Sequence, residues 1–230
     1  MQIQIWSDIA CPFCYIGKRH LEEALSSQPK GTANIDIVYR SFELDPNAPI
    51  NSAKSIYTEL ADKYGMSLED AKQMTKNVVH QAELAGLTFN FDTLIPTNTF
   101  DAHRLLHLAA DHQLMEPMQE RLFKAFFTES LDLSKPESLN QLAIDVGLPA
   151  GSLEKALSEQ QYADSVRADE EMAKQLQINS VPFFVFDNKY AVSGAQPVQT
   201  FKEILQQIEH EGISSKDDNS GSCSGGACSI

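Results

Sequence analysis

Hydrophobic and polar positions alternate in two short segments near the start of the chain. Ile3–Ile5, followed by Trp6, is apolar at every second position and predicts a strand. Ile35–Leu44 alternates in the same way and is rich in β-branched and aromatic residues, which predicts a second strand. Between them apolar residues recur at helical spacing from Tyr15 to Leu25. The chain is therefore expected to begin as strand, helix, strand.

From about Ala53 to Ala173 almost the whole chain has helical periodicity. Helices are predicted over Ser55–Tyr64, Leu68–Ala85, Thr99–Gln113, Pro117–Thr128, Pro136–Val146, Gly151–Glu159 and Tyr162–Gln177. Phe123, Phe126 and Phe127 fall at core spacing within this block. The acidic run Asp169–Glu171 is expected to be a solvated helix face.

A hairpin and a last helix are predicted after the helical block. Val181–Phe186 and Lys189–Ser193 flank the turn dipeptide Asp187-Asn188, which favours two antiparallel strands. An amphipathic helix follows from Pro197 to about His210 and is expected to pack on the sheet. From about Gly212 the chain is rich in Gly and Ser with few apolar side chains, so a flexible arm is expected.

Composition excludes several classes of partner. The 230 residues contain 18 Lys+Arg and 32 Asp+Glu, a net charge of −14, and no basic run. We therefore expect neither nucleic acid nor an anionic membrane surface as a partner. No apolar run approaches the roughly 20 residues of a membrane span. The first residues lack a basic leader followed by an apolar stretch, so we expect no secretion signal and a reducing, cytoplasmic location.

Four cysteines form two close pairs. Cys11 and Cys14 make a C-x2-C pair after the first strand, and Cys223 and Cys228 make a C-x4-C pair near the end. Pro12 is suited to the first helical position, which puts Cys11 at a helix amino terminus. Thiols in such places, or in such pairs, have pKa values lowered to about 3.5–7.5, because N–H groups and the helix dipole stabilise the thiolate. The pattern favours a redox pair over two inert core thiols and over a zinc half-site, which would need two further ligands.

A thiolate at Cys11 would attack a substrate disulfide, and Cys14 would then attack Cys11 and release the reduced substrate. Phe13, between them, offers no charge and no ordinary hydrogen-bond donor. A His at this position could stabilise the thiolate further, so we expect this pair to be less oxidising than one that carries His there. Asp8 is expected to cap the helix or its preceding turn, although it could also accept a proton from Cys14.

The segments Cys11–Cys14 and Val181-Pro182, with the helical block between them, resemble the DsbA family of thiol oxidoreductases over nearly the whole chain. Trp6–Gly17 and Asn98–Leu105 are most similar to its cytoplasmic FrnE-like branch, whose members can also carry a C-terminal C-x4-C pair. The resemblance implies an α/β fold of thioredoxin type. Its expected parts are a discontinuous thioredoxin-like domain (1–47 and 161–211), a large helical insertion (48–160) and a flexible tail (212–230).

The resemblance also implies a substrate-binding surface. A cis bond between Val181 and Pro182, opposite the cysteines, would leave the Val181 backbone free to pair with an extended substrate. His103 and His107 share a helix face and are expected to be satisfied interface residues, with His103 a secondary candidate for substrate contact. The expected substrate-binding residues are Pro12, Phe13, Val181, Pro182 and His103.

The expected function is a cytoplasmic thiol–disulfide oxidoreductase, or isomerase, that acts on protein or peptide disulfides without a cofactor or metal. The direction and the electron donor, a small thiol or a thioredoxin-type protein, stay open. One alternative is a glutathione-dependent enzyme of the kappa-class transferase or 2-hydroxychromene-2-carboxylate isomerase type, whose members usually carry Ser where Cys11 stands. Another is a thiolate metal-binding protein. For Cys223 and Cys228 the options are a second redox pair, a metal site or a dispensable tail.

Overall fold

The computed structural model describes residues 1–28, 35–50 and 52–217. Its sheet has four strands: β1 (Gln2–Ser7), β2 (Asp36–Ser41), β3 (Phe183–Phe186) and β4 (Tyr190–Ser193). The strand order is β2-β1-β3-β4. β1 is parallel to β2, and β3 is antiparallel to both β1 and β4. The predicted strands and the predicted hairpin are confirmed.

The turn of the hairpin follows from its two residues. Asp187 and Asn188 have φ angles of 47° and 54°. Asn and Asp tolerate this left-handed region better than most residues, and a two-residue hairpin with the twist of its strands requires it.

The described part of the chain also contains helices of very different lengths. They are α1 (Pro12–Ser26), α2 (Ile56–Tyr64), α3 (Leu68–Leu84), α4 (Phe100–Asp111), α5 (Met115–Phe127), α6 (Pro136–Asp145), α7 (Ser152–Ser158), α8 (Ala163–Gln175) and α9 (Val198–Asp217). Helices α2 to α8 lie close to their predicted bounds. Helix α9 continues to Asp217 instead of ending near His210, because a single Gly costs a helix only about 1 kcal/mol and no proline follows.

The two faces of the sheet bury different helices. Ile3 and Ile5 of β1 lie on one face and pack with residues of α1 and α9, such as Leu21 and Phe201. Trp6, on the opposite face, is fully buried and its indole N–H donates to the Asp169 carbonyl of α8 at 3.1 Å. This is the layered arrangement of a thioredoxin-like fold.

The helical insertion shares a hydrophobic core with the cysteine-bearing helix. Phe123, Phe126 and Phe127 are 0%, 3% and 1% exposed, as their spacing predicts. The Tyr15 ring of α1 stacks on Phe123 with 4.8 Å between ring centroids. This core contains residues from both sides of the predicted boundary at residues 47 and 48, such as Tyr15 and Phe123. The division into domains therefore stays a prediction. Across the described residues, no helix is both long and apolar enough to span a membrane.

Candidate active site

Cys11 lies where β1 passes into α1. It is the N-cap residue of α1, and Pro12 is the first residue of the helix. The Cys11 N–H donates to the Asp8 carbonyl at 3.1 Å, and the Cys14 N–H donates to the Cys11 carbonyl at 3.1 Å. Proline suits this position because the first helical N–H has no partner within the helix. The predicted placement of Cys11 at a helix amino terminus is confirmed.

The two thiols are close to the Val181-Pro182 segment. Both cysteines are reduced, and they are 4% and 3% exposed. The Cys11 thiol donates to the Val181 carbonyl at 3.5 Å, and the bond between Val181 and Pro182 is cis, as expected. Residues that are 170 positions apart in the sequence therefore meet at one site. Phe13, at 38% exposed, offers apolar surface beside them, and Pro12 is half-buried.

Burial sets the electrostatics of Cys14. It raises the pKa of the Cys14 thiol well above the usual 9.0, and the neighbouring Cys11 raises it further. The Ser7 hydroxyl and the Asp8 amide face the Cys14 sulfur and lower its pKa by less than burial raises it. Cys14 is therefore a protonated, enclosed thiol behind Cys11.

Gly17 allows α1 to approach the Val181-Pro182 segment closely. A Cβ atom at this position would lie 3.1 Å from Pro182 Cγ and 3.2 Å from Phe184 Cζ. The sequence reasoning assigned no role to Gly17. Its signal is a glycine inside a helix, which costs about 1 kcal/mol relative to alanine and so indicates a packing constraint.

Asp8 holds the turn that leads into α1. Its carboxylate accepts the N–H of Ala10 at 3.2 Å and that of Leu44 at 2.7 Å, whereas α1 has no side-chain cap. The turn role is confirmed. Burial favours the neutral acid, but the adjacent His103 ring and the two N–H groups outweigh burial, so the pKa of Asp8 lies below its usual 3.8.

His103 and His107 project from α4 of the insertion towards the sheet. His103 is 1% exposed, with Nε2 3.4 Å from Asp8 Oδ1. His107 Nε2 lies 3.2 Å from Asp169 Oδ2 and 3.1 Å from the Ser41 hydroxyl. Both lie at the interface, as expected, and His107 is hydrogen-bonded there. His103 differs from the expectation of a satisfied ring, because among the described residues neither of its nitrogens has a hydrogen-bond partner. His103 has no exposed surface to offer a substrate, so its suggested substrate contact is replaced by the contact with Asp8.

Asp169 corrects the expectation that the acidic run is solvated. It is 2% exposed and accepts the Ser41 N–H and an Arg40 guanidinium N–H, both at 3.0 Å. Val166, Asp169 and Ala173 form the buried stripe of α8, so the helix turns this one carboxylate inward. Burial opposes the charged form, but His107, the Ser41 N–H and Arg40 outweigh it, and the pKa of Asp169 falls below its usual 3.8.

A second polar contact joins α1 to the insertion and was not predicted. Lys18 is 4% exposed and its ammonium group lies 2.8 Å from Glu120 Oε2 of α5. Glu120 also pairs with Arg19 and accepts the Tyr15 hydroxyl at 2.6 Å. The helix that carries the cysteines is thus fixed to the insertion by charge as well as by packing.

No group of three or more potential metal-ligating side chains comes together within residues 1–28, 35–50 and 52–217. A cavity of about 800 Å³ lies between α3 and residues 89–93, and its lining includes no residue of the cysteine site. Cys223 and Cys228 lie outside the described residues, so their redox, metal and tail interpretations all stay predictions.

Comparisons with known proteins agree with this geometry. A family model described as a DSBA-like thioredoxin domain matches residues 2–206. The uncharacterised protein YwbO of Bacillus subtilis strain 168 is 26% identical over 212 residues, which cover 89% of this chain and 96% of that protein. The narrower similarity to the FrnE-like branch stays a prediction.

Solved structures share the fold. The crystal structure of a "probable DsbA oxidoreductase" from Streptomyces coelicolor is 41% identical, with a TM-score of 0.86 over 92% of this chain and 91% of that one. The "cytosolic disulfide reductase DsbM" from Pseudomonas aeruginosa is 15% identical, with a TM-score of 0.65 over 91% of this chain and 99% of that one, a likeness of fold alone. The chain belongs to the DSBA-like thioredoxin domain family and is a thiol–disulfide oxidoreductase.

Proposed function

We propose that this oxidoreductase exchanges disulfides with protein or peptide substrates in the cytoplasm, with Cys11 as the attacking thiol and Cys14 as the resolving thiol. The observation that carries the proposal is the difference between the two sulfurs. Cys11 is the N-cap residue of α1, lies beside the exposed Phe13 and contacts the Val181 carbonyl. Burial and the neighbouring Cys11 raise the pKa of Cys14 and keep its thiol protonated. A thiolate is the attacking species in exchange. The site therefore supports attack from Cys11 first.

The exchange transfers two electrons in two steps. The Cys11 thiolate attacks one sulfur of the substrate disulfide, forms a mixed disulfide and expels the other sulfur as a thiolate. Cys14 then loses its proton and attacks Cys11. A Cys11–Cys14 disulfide forms, and the second substrate sulfur leaves as a thiolate that takes up a proton. The substrate disulfide is reduced and the enzyme dithiol is oxidised.

The substrate is proposed to lie across Pro12, Phe13 and the Val181-Pro182 segment. Phe13 supplies exposed apolar surface, and the Val181 carbonyl already faces the Cys11 sulfur. An extended peptide that pairs with the Val181 backbone would bring its own sulfur to Cys11. This surface requires no cofactor for the exchange itself.

The direction of net exchange depends on the reduction potential of the pair. If the potential lies well above that of the cytosolic glutathione pool, the pair rests reduced, and if it lies well below, the pair rests oxidised. The DsbM likeness is compatible with a cytosolic reductase. A return to the dithiol needs a thiol donor, either glutathione or a thioredoxin-type protein.

A glutathione-activating enzyme is the competing proposal. It would use a hydroxyl at the start of α1, and this chain has Cys11 there, with a second thiol one turn later. Two thiols at this spacing favour disulfide exchange over activation of bound glutathione.

The test is to trap the mixed disulfide. In a chain whose Cys223 and Cys228 are replaced by Ser, we expect C14S to accumulate a covalent adduct with a disulfide-bonded peptide, because no resolving thiol remains. The matched variant C11S should form none. Intact-mass spectrometry under non-reducing conditions measures both. An adduct through Cys14 in C11S, or no adduct in C14S, would contradict the assignment.

A further inference from the structure

Gly17 lies inside α1 where this helix packs against the Val181-Pro182 segment. It is buried and follows Cys14 by three residues, so the two lie on the same face of the helix. A Cβ atom at this position would be 3.1 Å from Pro182 Cγ, 3.2 Å from Phe184 Cζ and 3.4 Å from Ala195 Cα. Carbon atoms pack best about 3.5–4.0 Å apart. A side chain here would therefore have to displace at least one of these neighbours.

Phe184 is held in place by the core and by the sheet. It is 0% exposed and packs on Phe201 with 4.9 Å between ring centroids. Its strand, β3, pairs with β1 on one side and with β4 on the other. A side chain at position 17 could not displace Phe184 without disturbing both pairings.

The loop after β4 connects α1 to the Val181-Pro182 segment. His20 of α1 donates from Nδ1 to the Gln196 carbonyl at 2.8 Å. The Gly194 N–H donates to the Pro182 carbonyl at 2.8 Å. Ala195, between these two residues, meets Gly17 through its backbone. The loop is therefore held at both of its ends.

The Val181-Pro182 segment is the neighbour that can move most easily, because it precedes β3 and is not part of a strand. A Cβ atom at Gly17 would require its neighbours to shift by a few tenths of an ångström. The Val181 carbonyl lies only 3.5 Å from the Cys11 sulfur. A shift of Pro182 would therefore also change the position of the Val181 backbone relative to this sulfur.

We propose that Gly17 is a positioning residue for the attack on peptide disulfides. Its missing side chain lets α1 and the Val181-Pro182 segment lie close enough for a peptide paired with Val181 to present its sulfur to Cys11. The inference rests on the proposed function. A disulfide without a peptide backbone does not use Val181, so its reaction does not depend on Gly17.

The step concerned is the first one of the exchange. The Cys11 thiolate forms a bond to one substrate sulfur, and the bond between the two substrate sulfurs breaks. The other sulfur leaves as a thiolate, which takes up a proton from solvent. Gly17 contacts none of these atoms and acts only through the relative position of α1 and Val181.

The test compares two disulfides in the full-length chain with C14S, C223S and C228S, in which the first mixed disulfide accumulates. One is the symmetric disulfide of an acetylated and amidated peptide with a single cysteine. The other is bis(2-hydroxyethyl) disulfide, which has no amide group. Rapid quenching and intact-mass spectrometry measure the rate of mixed-disulfide formation with each.

We expect G17A to slow the reaction with the peptide about tenfold and to keep the rate with bis(2-hydroxyethyl) disulfide within about twofold, since a misplacement of about 1 Å can cost about 10²-fold. The matched control E23A places alanine at an exposed position of the same helix and should change neither rate. A purely structural role for Gly17 predicts a different result, because a disturbed α1 would slow both reactions alike. Equal slowing, or an unchanged peptide rate in folded G17A, would overturn the proposal.

H20F covers the case in which G17A does not fold. It removes the donor that holds the loop after β4 to α1, so it should slow the peptide reaction more than the reaction with bis(2-hydroxyethyl) disulfide. An unchanged preference in folded H20F would then overturn the proposal. If the chain with Gly17 and His20 intact forms no mixed disulfide with either compound, the proposed function fails instead, so the two failures are distinguishable.

Discussion

The insertion meets the cysteine-bearing part of the molecule through two unlike contacts. In the aromatic contact, Tyr15 of α1 stacks on Phe123 and Phe89, with ring centroids 4.8 and 5.9 Å apart. In the polar contact, His103 and His107 of α4 face the buried carboxylates of Asp8 and Asp169. Apart from the pairs of Glu120 with Lys18 and Arg19, the insertion therefore presents an apolar surface to α1 and a polar surface to the turn and the sheet.

This difference between an aromatic and a polar contact predicts that the two contacts stabilise the fold to different extents. Buried aromatic rings stabilise a fold through the area they remove from water, and stacked pairs add about 0.5–1.5 kcal/mol. Burial of polar and charged groups has a desolvation cost, so a buried polar contact adds little net stability compared with apolar residues of the same size. The aromatic contact is therefore expected to contribute more to the net stability of the fold than the polar contact.

The largest expected effect comes from removing the aromatic contact. Phe123 is fully buried, and F123A should lower the free energy of unfolding by about 3–5 kcal/mol, because a cavity replaces the ring. Denaturant titration measures this loss. The matched control F13A truncates a Phe that is 38% exposed and should change stability by no more than about 0.5 kcal/mol.

The exchange kinetics of F123A test whether the aromatic contact affects only stability. Folded F123A should form and resolve the mixed disulfide at the wild-type rate, because Phe123 packs on Tyr15 and is not part of the surface proposed to bind the substrate. If folded F123A slowed either step markedly, a purely stabilising role for the aromatic contact would be contradicted.

A smaller loss in the free energy of unfolding is expected from a change at Asp169, which belongs to the polar contact beside the sheet. D169N keeps the shape of the side chain but removes the charge that Arg40 and His107 face. We expect a loss of about 1.5–3 kcal/mol at pH 7, the range for hydrogen bonds to charged groups. The control E171Q changes an exposed carboxylate of the same helix and should leave the free energy of unfolding nearly unchanged.

The pH dependence of this loss has a definite sign. Because the folded state lowers the pKa of Asp169 below its usual 3.8, the charge stabilises the fold above that pH. The contribution disappears as the pH falls through the lower pKa of the folded state. The difference in unfolding free energy between wild type and D169N should therefore shrink below about pH 4. A difference that stays constant down to pH 2 would rule out a role for the charge.

Local patterns predicted the elements of this fold well. Alternation located the strands around Ile3 and Ile37, and Pro12 marked the start of α1, because these signals lie within one element. The meeting of Cys11 with Val181 followed only from the family resemblance. The end of α9 was misplaced because one glycine is a weak stop signal.

The polar contact could not be predicted in the same way. Asp8 and His103 are 95 positions apart, and nothing in the local spacing of either residue indicates the other. Asp169 carried a usable signal, since it occupies an inward position between Val166 and Ala173. Its acidic neighbours Glu170 and Glu171 masked that signal, because a run of charge ordinarily faces solvent.

The proposed function requires Cys11 and Cys14 to form a reversible redox pair. Its most direct test is equilibration of the full chain, and of a chain that ends at Asp217, with glutathione buffers, followed by blocking of free thiols and mass spectrometry. We predict a two-electron Cys11–Cys14 disulfide in both chains, with a potential more negative than the roughly −120 mV of DsbA, because Phe13 offers the thiolate no charge and no donor. If no Cys11–Cys14 disulfide formed at any glutathione ratio, the proposed function would be contradicted.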